Sequence, residues 1–395
     1  MRVLVLDGNQ NQAVASVRSL AKAGHEVLAG ETSSWSKAGW SRYCSGMFDY
    51  PDPEQDIAGF VGRIREIAKQ ESGTLVLPMT EVTTLPLSAQ RSLILSTGAR
   101  LVFPAHEDVL RAFNKDEMVR LAASLGVAVP KTVVVSNSDD ARGAGAQLRF
   151  PVVIKPQSSV ESDSRGQVRI TGRPLYAKDA AELQARSLQL ARICSSMLVQ
   201  EFVDGDGVGY FALMSHGDLR AEFAHHRIRD VHPTGSGSAV RISVEPDPEV
   251  RRASLAILRS LNWHGVAMVE FRQLSGQPPV FMEVNGRFWN SLPLACYAGV
   301  DFPALVAQMA ETGDVATQDG FHNNVRCRWL IGDVRHMVEV WRGAPTGYPK
   351  PYPSRMKTLL SVMTPVRGTY HDNFQWQDPL PELGDWLYLV KRLVE

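Results

Sequence analysis

The chain has 395 residues, of which 44% are hydrophobic and 21% are charged, a composition typical of a folded protein with two or three domains. Lysine plus arginine equals aspartate plus glutamate at 42 each, so charge gives no reason to expect a nucleic acid or an anionic membrane as a partner. The first residues lack the features of a signal peptide, no stretch is long and apolar enough to span a bilayer, and the four scattered cysteines form no Cys-x-x-Cys pair, so we expect a cytoplasmic protein.

The first part of the chain alternates aliphatic runs with helical patterns. Runs at 2–6, 25–30 and 74–79 predict strands, and residues 60–68 predict a helix before the third run. This βαβ order favours a parallel, Rossmann-like sheet with ligands at the carboxyl ends of its strands. The first turn reads DGNQNQ, which is not the Gly-x-Gly-x-x-Gly pattern of a dinucleotide site.

The character of the sequence changes near residue 112. FNKDEMVRLAASLGV predicts a helix, RFPVVIKP predicts a strand over 149–156, and the polar segment 157–166 predicts a loop. Two further strands, 266–272 and 279–285, are joined by the turn QLSGQPP. These elements predict a mixed α/β and α+β architecture. The last portion, from about residue 312, is rich in Trp and Pro and ends in a predicted helix.

An acid, an amide and an arginine alternate within the otherwise apolar stretch FMEVNGRFWN, residues 281–290. Because side chains two positions apart in a strand share a face, Glu283, Asn285 and Arg287 form one polar row. A tight hairpin would bring Glu270, on the preceding strand, to the same patch. Carboxylate and amide oxygens are ligands of hard divalent ions, so the row predicts a Mg²⁺ site. The alternative is a solvated face with a salt bridge between Glu283 and Arg287, which the apolar flanks disfavour.

Two lysines and a short acidic hinge complete the pattern. Lys155 ends a buried-looking strand, where an ammonium group needs an anionic partner. Lys115 begins a helix, and its alternative interpretation is a solvated surface residue. The hinge QEFV, residues 200–203, precedes a glycine-containing turn, and its alternative is an ordinary edge strand. In this order, the features resemble the ATP-grasp superfamily, specifically its carbamoyl-phosphate-synthase-like and carboxylate–amine ligase branch, from the N-terminal βαβ region to about residue 310.

The resemblance implies an α/β and α+β fold in which an N-terminal Rossmann-like parallel sheet (the pre-ATP-grasp domain) is followed by a two-part ATP-grasp fold and a C-terminal extension. The implied domains are a Rossmann-like domain over 1–112, a small lid subdomain over 113–196, a large subdomain with the Mg/ATP site over 197–311, and the extension over 312–395.

The resemblance also implies ATP and Mg²⁺ (or Mn²⁺) as cofactors and assigns residues to them. The implied metal ligands are Glu270, Glu283 and Asn285. The implied nucleotide-binding residues are Lys115 and Lys155 at the phosphates, Ser159 in the lid loop, Glu201, Phe202 and Val203 at adenine, and Asp206 in place of the usual ribose-binding glutamate. For the loop 157–166, a polar segment without ligand contact is the alternative.

Arginines are expected to handle the charge of the reacting groups. Arg287 would counter charge that develops on the transferred phosphoryl group. Arg227 and Arg241, with Arg229, flank a Gly/Ser turn, and arginine forks are good receptors for carboxylate or phosphate. The resemblance places this segment at the acid-substrate end of the site and makes Arg287, Arg241 and Arg227 the catalytic candidates. The alternative for the turn is a hairpin with exposed basic residues.

The function that the resemblance implies is an ATP-dependent ligase. Such an enzyme activates a carboxylate as an acyl phosphate and joins it to an amine, releasing ADP and phosphate. Its partners would be small-molecule carboxylate and amine substrates, with neither nucleic acid nor membrane, and a homodimer is plausible. Two alternatives remain open: a bicarbonate-activating enzyme of the carboxylase or carbamoyl-phosphate type, and a non-catalytic nucleotide-binding protein.

Overall fold

The computed structural model describes residues 1–158, 160–162, 168–170 and 174–394. The N-terminal sheet is parallel, with strand order β3-β2-β1-β4. Its strands are β1 (Arg2–Val5), β2 (Glu26–Glu31), β3 (Gly46–Asp49) and β4 (Leu75–Leu77). Its helices are α1 (Asn11–Lys22), α2 (Ile57–Ala68), α3 (Glu81–Ala89), α4 (Arg91–Leu95) and α5 (His106–Phe113). The central strand β1 and its neighbour β4 consist mostly of buried valine and leucine, as expected of a parallel sheet covered on both faces.

The second sheet is antiparallel, with strand order β5-β10-β6-β9. Its strands are β5 (Thr132–Val135), β6 (Val152–Pro156), β9 (Leu175–Ala177) and β10 (Met197–Glu201), and β7 (Val160–Ser162) pairs separately with β8 (Val168–Ile170). The helices of this region are α6 (Lys115–Ser124), α7 (Ser138–Gln147) and α8 (Ala180–Leu190). Aliphatic side chains of α7, α8 and the sheet form a separate hydrophobic core.

The third sheet has seven strands in the order β15-β14-β11-β12-β13-β16-β17. Its strands are β11 (Asp206–Ser215), β12 (Asp218–Arg229), β13 (Val240–Ser243), β14 (Gly265–Gln273), β15 (Val280–Asn285), β16 (Arg326–Arg328) and β17 (Thr369–His371). The remaining helices are α9 (Pro248–Ser260), α10 (Leu292–Tyr297), α11 (Phe302–Thr312), α12 (Leu330–Arg342), α13 (Arg355–Met363) and α14 (Leu380–Val394). One face of this sheet shares a hydrophobic core with α1 and the N-terminal sheet, and the other packs on α6 and α9.

The predicted fold class is confirmed: a parallel N-terminal sheet precedes two mainly antiparallel sheets with helices. The predicted C-terminal extension is not a separate appendage, because its strand β16 pairs with β13 and adds an edge to the large sheet. The predicted domain boundaries stay predictions. Among the described residues, no helix combines the length and apolarity needed to cross a bilayer.

Buried ion pairs join the end of the chain to its first part and to strand β13, and we name this set the C-terminal clamp. Arg18 of α1 donates to Asp378 with Nε 2.8 Å from Oδ2, and the Lys37 Nζ lies 2.8 Å from Asp385 Oδ1. The third pair of the clamp joins Arg241 to Asp372. Each of these charges depends on its partner, because removing one would leave the other ionised and desolvated.

The structure corrects the expected catalytic role of Arg241. Its side chain is 0% exposed and donates to Asp372, which also accepts from Asn11 and Cys327. The Gly/Ser turn that follows Arg229 made this arginine look like part of a substrate receptor. A partner more than a hundred residues downstream instead holds it inside the protein, as a structural member of the C-terminal clamp.

Candidate functional site

The hairpin of β14 and β15 carries the predicted polar row. Glu270 lies directly opposite Glu283, and Met268 lies opposite Asn285, so the two carboxylates and the amide project from one face. Asn285 Nδ2 lies 3.4 Å from an oxygen of each carboxylate. The register shifts directly after Glu270, which interrupts the regular ladder beside this cluster. The structure therefore brings Glu270, Glu283 and Asn285 together at one patch, as predicted.

Lys115 and Lys155 approach the same cluster from the second region of the chain. Lys115 opens α6 directly after Asn114, whose side chain accepts from the N–H of Glu117 and fixes the start of the helix. The Lys115 Nζ lies 3.8 Å from Glu283 Oε2. Burial lowers the pKa of Lys155 to about 8, against the opposing attraction of Glu283. Lys155 is thus a desolvated cation whose charged form an additional anion would stabilise.

The two lysines keep Glu283 ionised. Burial by itself raises the pKa of this carboxyl, but Lys115, Lys155 and the Asn285 amide together bring it below its usual value. At neutral pH the hairpin therefore presents a charged carboxylate.

A cavity of about 280 Å³ opens at this cluster, and we name it the inner cavity. Its charged lining residues are Lys115, Lys155, Arg227, Arg272, Glu270 and Glu283. The four cations exceed the two carboxylates, so the cavity suits a polyanion. Arg227 Nη2 donates to Glu270 Oε2 at 2.6 Å, which places this predicted arginine at the cluster. Gly207 leaves room for it, since a Cβ there would lie 2.9 Å from Arg227 Nη1.

A second cavity, of about 260 Å³, adjoins the inner cavity, and we name it the hinge cavity. The predicted hinge residues Glu201, Phe202 and Val203 all line it. It shares Lys155 and Arg272 with the inner cavity, so the two form one continuous cleft. Val153, Tyr176, Phe202, Val203 and Met282 give the cleft an apolar end. This arrangement fits a ligand with a flat apolar part and an anionic part.

The structure does not place two of the predicted nucleotide-binding residues in this cleft, for different reasons: Asp206 lies apart from the cavity linings, and Ser159 lies outside the described residues. Asp206 is exposed and lines neither cavity, and its expected role near a ribose stays a prediction. The carboxylate that sequence reasoning missed is Glu339 of α12, which lines the hinge cavity from the predicted extension. Nothing in the local sequence of α12 pointed to it, because its approach depends on tertiary packing.

The Gly/Ser turn of residues 234–236, which the resemblance places at the acid-substrate end of the site, forms a wall of the hinge cavity. Arg272 holds it, with Nη2 2.8 Å from the Gly235 carbonyl oxygen. Gly235 has a φ of 98°, and a Cβ there would lie 2.1 Å from Arg272 Nη2. Only glycine fits this position. The available signal was the sequence PTGSGS, which predicts a tight turn but not its location.

Arg287 connects the hairpin to helix α3 of the N-terminal region. Its Nη2 lies 2.8 Å from Glu81 Oε1 and donates to Asn285 Oδ1 at 3.2 Å. Glu81 also lines a cavity of about 360 Å³, named here the N-terminal cavity, where β1–β4 end. Its ionisable lining residues are Asp7, Tyr50, Asp52, Glu54 and Glu81. Burial raises the pKa of Asp7 to about 6. The N-terminal cavity is therefore acidic and meets the inner cluster at Arg287.

The hairpin residues fit a hard divalent cation. Two carboxylates and an amide oxygen are ligands that Mg²⁺ accepts while leaving coordination positions for phosphate and water. Within the described part of the chain, no group of three or more His, Cys, Asp and Glu side chains is placed to hold a metal. These ligands therefore suit a Mg²⁺ ion that is also bound by phosphate oxygens. They suit less well an ion that is coordinated by protein alone.

Comparison with known proteins identifies the class of fold. The structure is similar to the 2-oxoglutarate carboxylase biotin carboxylase domain of Hydrogenobacter thermophilus, with a TM-score of 0.64 and 13% identity over 82% of this chain and 73% of that one. It is similar to L-amino acid ligase from Bacillus licheniformis, with a TM-score of 0.61 and 16% identity over 79% and 74% of the two chains. It is also similar to N5-carboxyaminoimidazole synthetase from Staphylococcus aureus, with a TM-score of 0.63 and 13% identity over 82% of this chain and 80% of that one. These likenesses show that the chain shares the fold of these three enzymes.

Sequence comparison is more specific about the family. Residues 194–332 match the family described as "ATP-grasp in the biosynthetic pathway with Ter operon". A curated relative, the carbamoyl phosphate synthase large chain, N-terminal section, of Methanopyrus kandleri, is 25% identical over 218 residues. The match covers 52% of this chain and 36% of the relative, so the chain spans about a third of that protein's length. The predicted resemblance to the ATP-grasp superfamily is confirmed.

Proposed function

We propose that the protein is an ATP-dependent ligase that activates a carboxylate as an acyl phosphate and joins it to an amine, releasing ADP and phosphate. The observation that carries this proposal is the continuous cleft, in which an apolar hinge cavity leads into a cationic inner cavity that contains two opposed carboxylates and an amide. The cleft matches the shape and charge of a nucleoside triphosphate with its metal.

In this proposal the adenine lies in the hinge cavity. Phe202 and Tyr176 offer ring edges and faces there, with centroids 6.4 Å apart. Glu339 is the carboxylate suited to the ribose hydroxyls, in place of Asp206. Lys115 and Lys155 neutralise the phosphates in the inner cavity.

The metal site of the proposal is the hairpin cluster. Glu270, Glu283 and Asn285 would hold Mg²⁺, which when bound neutralises phosphate charge during transfer. Arg287 lies beside Asn285 and is suited to orient the phosphoryl acceptor. Because this arginine reaches Glu81, the acceptor carboxylate would lie between the inner and N-terminal cavities.

The amine is assigned to the N-terminal cavity. Its acidic lining favours a positively charged ammonium group, and one of its lining residues, Glu81, pairs with Arg287 beside the hairpin cluster. A second candidate function is activation of bicarbonate, favoured by the similarity to a carbamoyl phosphate synthase section and to biotin carboxylases. A homodimer stays a prediction.

ADP release separates the two candidates. With MgATP and a panel of carboxylates and amines, we expect ADP to appear only when both an acid and an amine are present, and mass spectrometry to find their condensed product. Bicarbonate added at constant pH should leave the rate unchanged. ADP formation that depends on bicarbonate instead of on the added acid would favour the second candidate, and nucleotide binding without turnover on any panel member would contradict both.

Lys155 gives nucleotide binding a specific pH dependence. Because its pKa in the free protein is about 8, the lysine is largely neutral at pH 9 and must take up a proton to pair with phosphates. Affinity for MgADP should fall by about tenfold per pH unit above that value. Calorimetry in buffers of different ionisation enthalpy should detect uptake of most of one proton at pH 9 and little at pH 7.

The matched control replaces Lys155 with arginine, whose side chain carries a permanent positive charge. Lys155→Arg should bind without this uptake, because a guanidinium stays protonated over the whole range. Lys115→Arg, at the neighbouring lysine, should retain the uptake. Equal proton uptake by wild type and Lys155→Arg would show that another group titrates.

A further inference from the structure

A basic cavity lies at the far edge of the large sheet, and we name it the edge cavity. It measures about 110 Å³. Its polar lining residues include Arg229, Arg326, Arg328, Ser361, Thr369 and His371. It shares no lining residue with the hinge, inner or N-terminal cavities. Neither the family match nor the ligase proposal assigns it a role.

Strand register explains why these residues meet. Arg328 lies opposite Val240 on β13 and beside His371 on β17, and Arg326 lies beside Thr369. These positions flank the buried Cys327 and therefore project from the opposite face of the sheet. The register shift between Arg227 and Arg229 turns Arg229 away from the inner cavity and toward this same face.

The edge cavity has an excess of positive charge. Asp333 of α12 pairs with both Arg229 and Arg328, so one carboxylate serves two guanidinium groups. Arg229 also donates to the Ser361 hydroxyl at 3.0 Å, and Arg328 donates to the Val362 carbonyl at 2.7 Å. The guanidinium of Arg326, which is half-buried, has no ion-pair or hydrogen-bond partner among the described residues. Three guanidinium groups with one carboxylate leave two positive charges uncompensated.

Two polar atoms of the lining residues are unsatisfied. Thr369 Oγ1 and His371 Nδ1 are buried and find no hydrogen-bond partner within the part of the chain that the structure describes. An unmade hydrogen bond at a buried atom costs about 1–3 kcal/mol, so such atoms commonly have a ligand or water as partner. Both a hydroxyl and a neutral imidazole can donate to an oxyanion.

We propose that the edge cavity binds a small divalent oxyanion, either inorganic phosphate or the phosphate group of a phosphate ester. Arg326 supplies the free guanidinium, Arg229 and Arg328 are held in place by Asp333, and Thr369 and His371 add neutral donors. The volume of the edge cavity is about three to four times the ~30 Å³ that one water molecule occupies in the liquid. It therefore admits a single group of phosphate size. The site is separate from the nucleotide cleft and does not depend on the ligase proposal.

The test compares the binding of inorganic phosphate, measured by calorimetry at constant ionic strength, in wild type, Arg326→Gln and Arg252→Gln. Arg252 is an exposed arginine on α9, where its loss removes the same charge away from the edge cavity. We expect Arg326→Gln to weaken phosphate binding by about tenfold or more, equivalent to ~1.4 kcal/mol, and Arg252→Gln to leave it unchanged. Glycerol phosphate should compete with phosphate, whereas acetate at the same concentration should not.

The position of the bound anion in a crystal and a second variant test the proposal independently of Arg326→Gln. A crystal soaked in selenate should show an anomalous selenium peak between Arg326 and Thr369. Thr369→Val should weaken phosphate binding without lowering the stability of the free protein, because the lost hydroxyl has no partner there. Equal phosphate affinity in wild type and Arg326→Gln, an empty edge cavity in the soaked crystal, or acetate binding as tight as that of phosphate would each overturn the proposal.

Discussion

Glu283→Gln is expected to lose the Mg²⁺ dependence of nucleotide binding and to lower ADP release by at least about 100-fold. The substitution keeps the size of the side chain but removes the charge that faces Glu270 across the hairpin. It also frees Lys115 and Lys155 from their carboxylate partner. Metal-free ADP should therefore bind at least as tightly as it does to wild type. Calorimetric titration of ADP with and without Mg²⁺ measures both effects.

Glu249→Gln is the matched control for this variant. Glu249 lies on α9 with 61% of its side chain exposed and a loose ion pair with Arg252 at 3.6 Å. Its replacement should change neither the Mg²⁺ dependence nor turnover. If Mg²⁺ raised ADP affinity in Glu283→Gln as much as in wild type, the hairpin would not be the metal site. Unfolding curves for both variants check that the fold is intact.

Asp372→Ala is expected to lower the free energy of unfolding by about 3–5 kcal/mol. Arg241 and Asp372 are both 0% exposed, so the variant leaves a guanidinium ionised in the interior. The Asn11 amide, 3.0 Å from Asp372 Oδ2, loses an acceptor as well. Urea unfolding followed by fluorescence and by circular dichroism measures the loss.

Asp314→Ala tests whether this loss comes from burial. Asp314 pairs with Arg220 at 2.7 Å but is 49% exposed, so its removal should cost less than about 1 kcal/mol. Similar small losses for Asp372→Ala and Asp314→Ala would contradict the structural role assigned to Arg241. A catalytic role for Arg241 would instead require activity to fall in Arg241→Met at unchanged stability.

Local patterns predicted the parts of the fold that depend on short sequence ranges. Strand β1 follows from an aliphatic run, helix α6 follows from the helical pattern of FNKDEMVRLAASLGV, and the hairpin of β14 and β15 follows from its turn. The C-terminal segment could not be placed in the same way. Its strand β16 has three residues, two of them arginines, and it joins the large sheet by pairing with β13, far away in the sequence.

The residues of the candidate site also fall into those that local sequence predicts and those that it does not. Glu283 and Asn285 were found because side chains of a strand repeat every two residues, and Glu270 because a tight hairpin brings it to the same patch. Lys115 and Lys155 were assigned to the phosphates through the resemblance to the ATP-grasp pattern. Residues whose position depends on tertiary packing were not found. Glu339 reaches the hinge cavity from α12, and Arg241 was misassigned because its partner Asp372 lies in the last part of the chain.

The C-terminal clamp sets an order of events during protein synthesis. Arg18 and its partner Asp378 are 360 positions apart, and Lys37 and Asp385 are 348 apart. A ribosome therefore releases the N-terminal sheet long before the carboxylates that complete its surface exist. Contacts of such high sequence separation form late and slow the final step of folding. Mature packing of the first helix must wait until residues 372–385 have been translated.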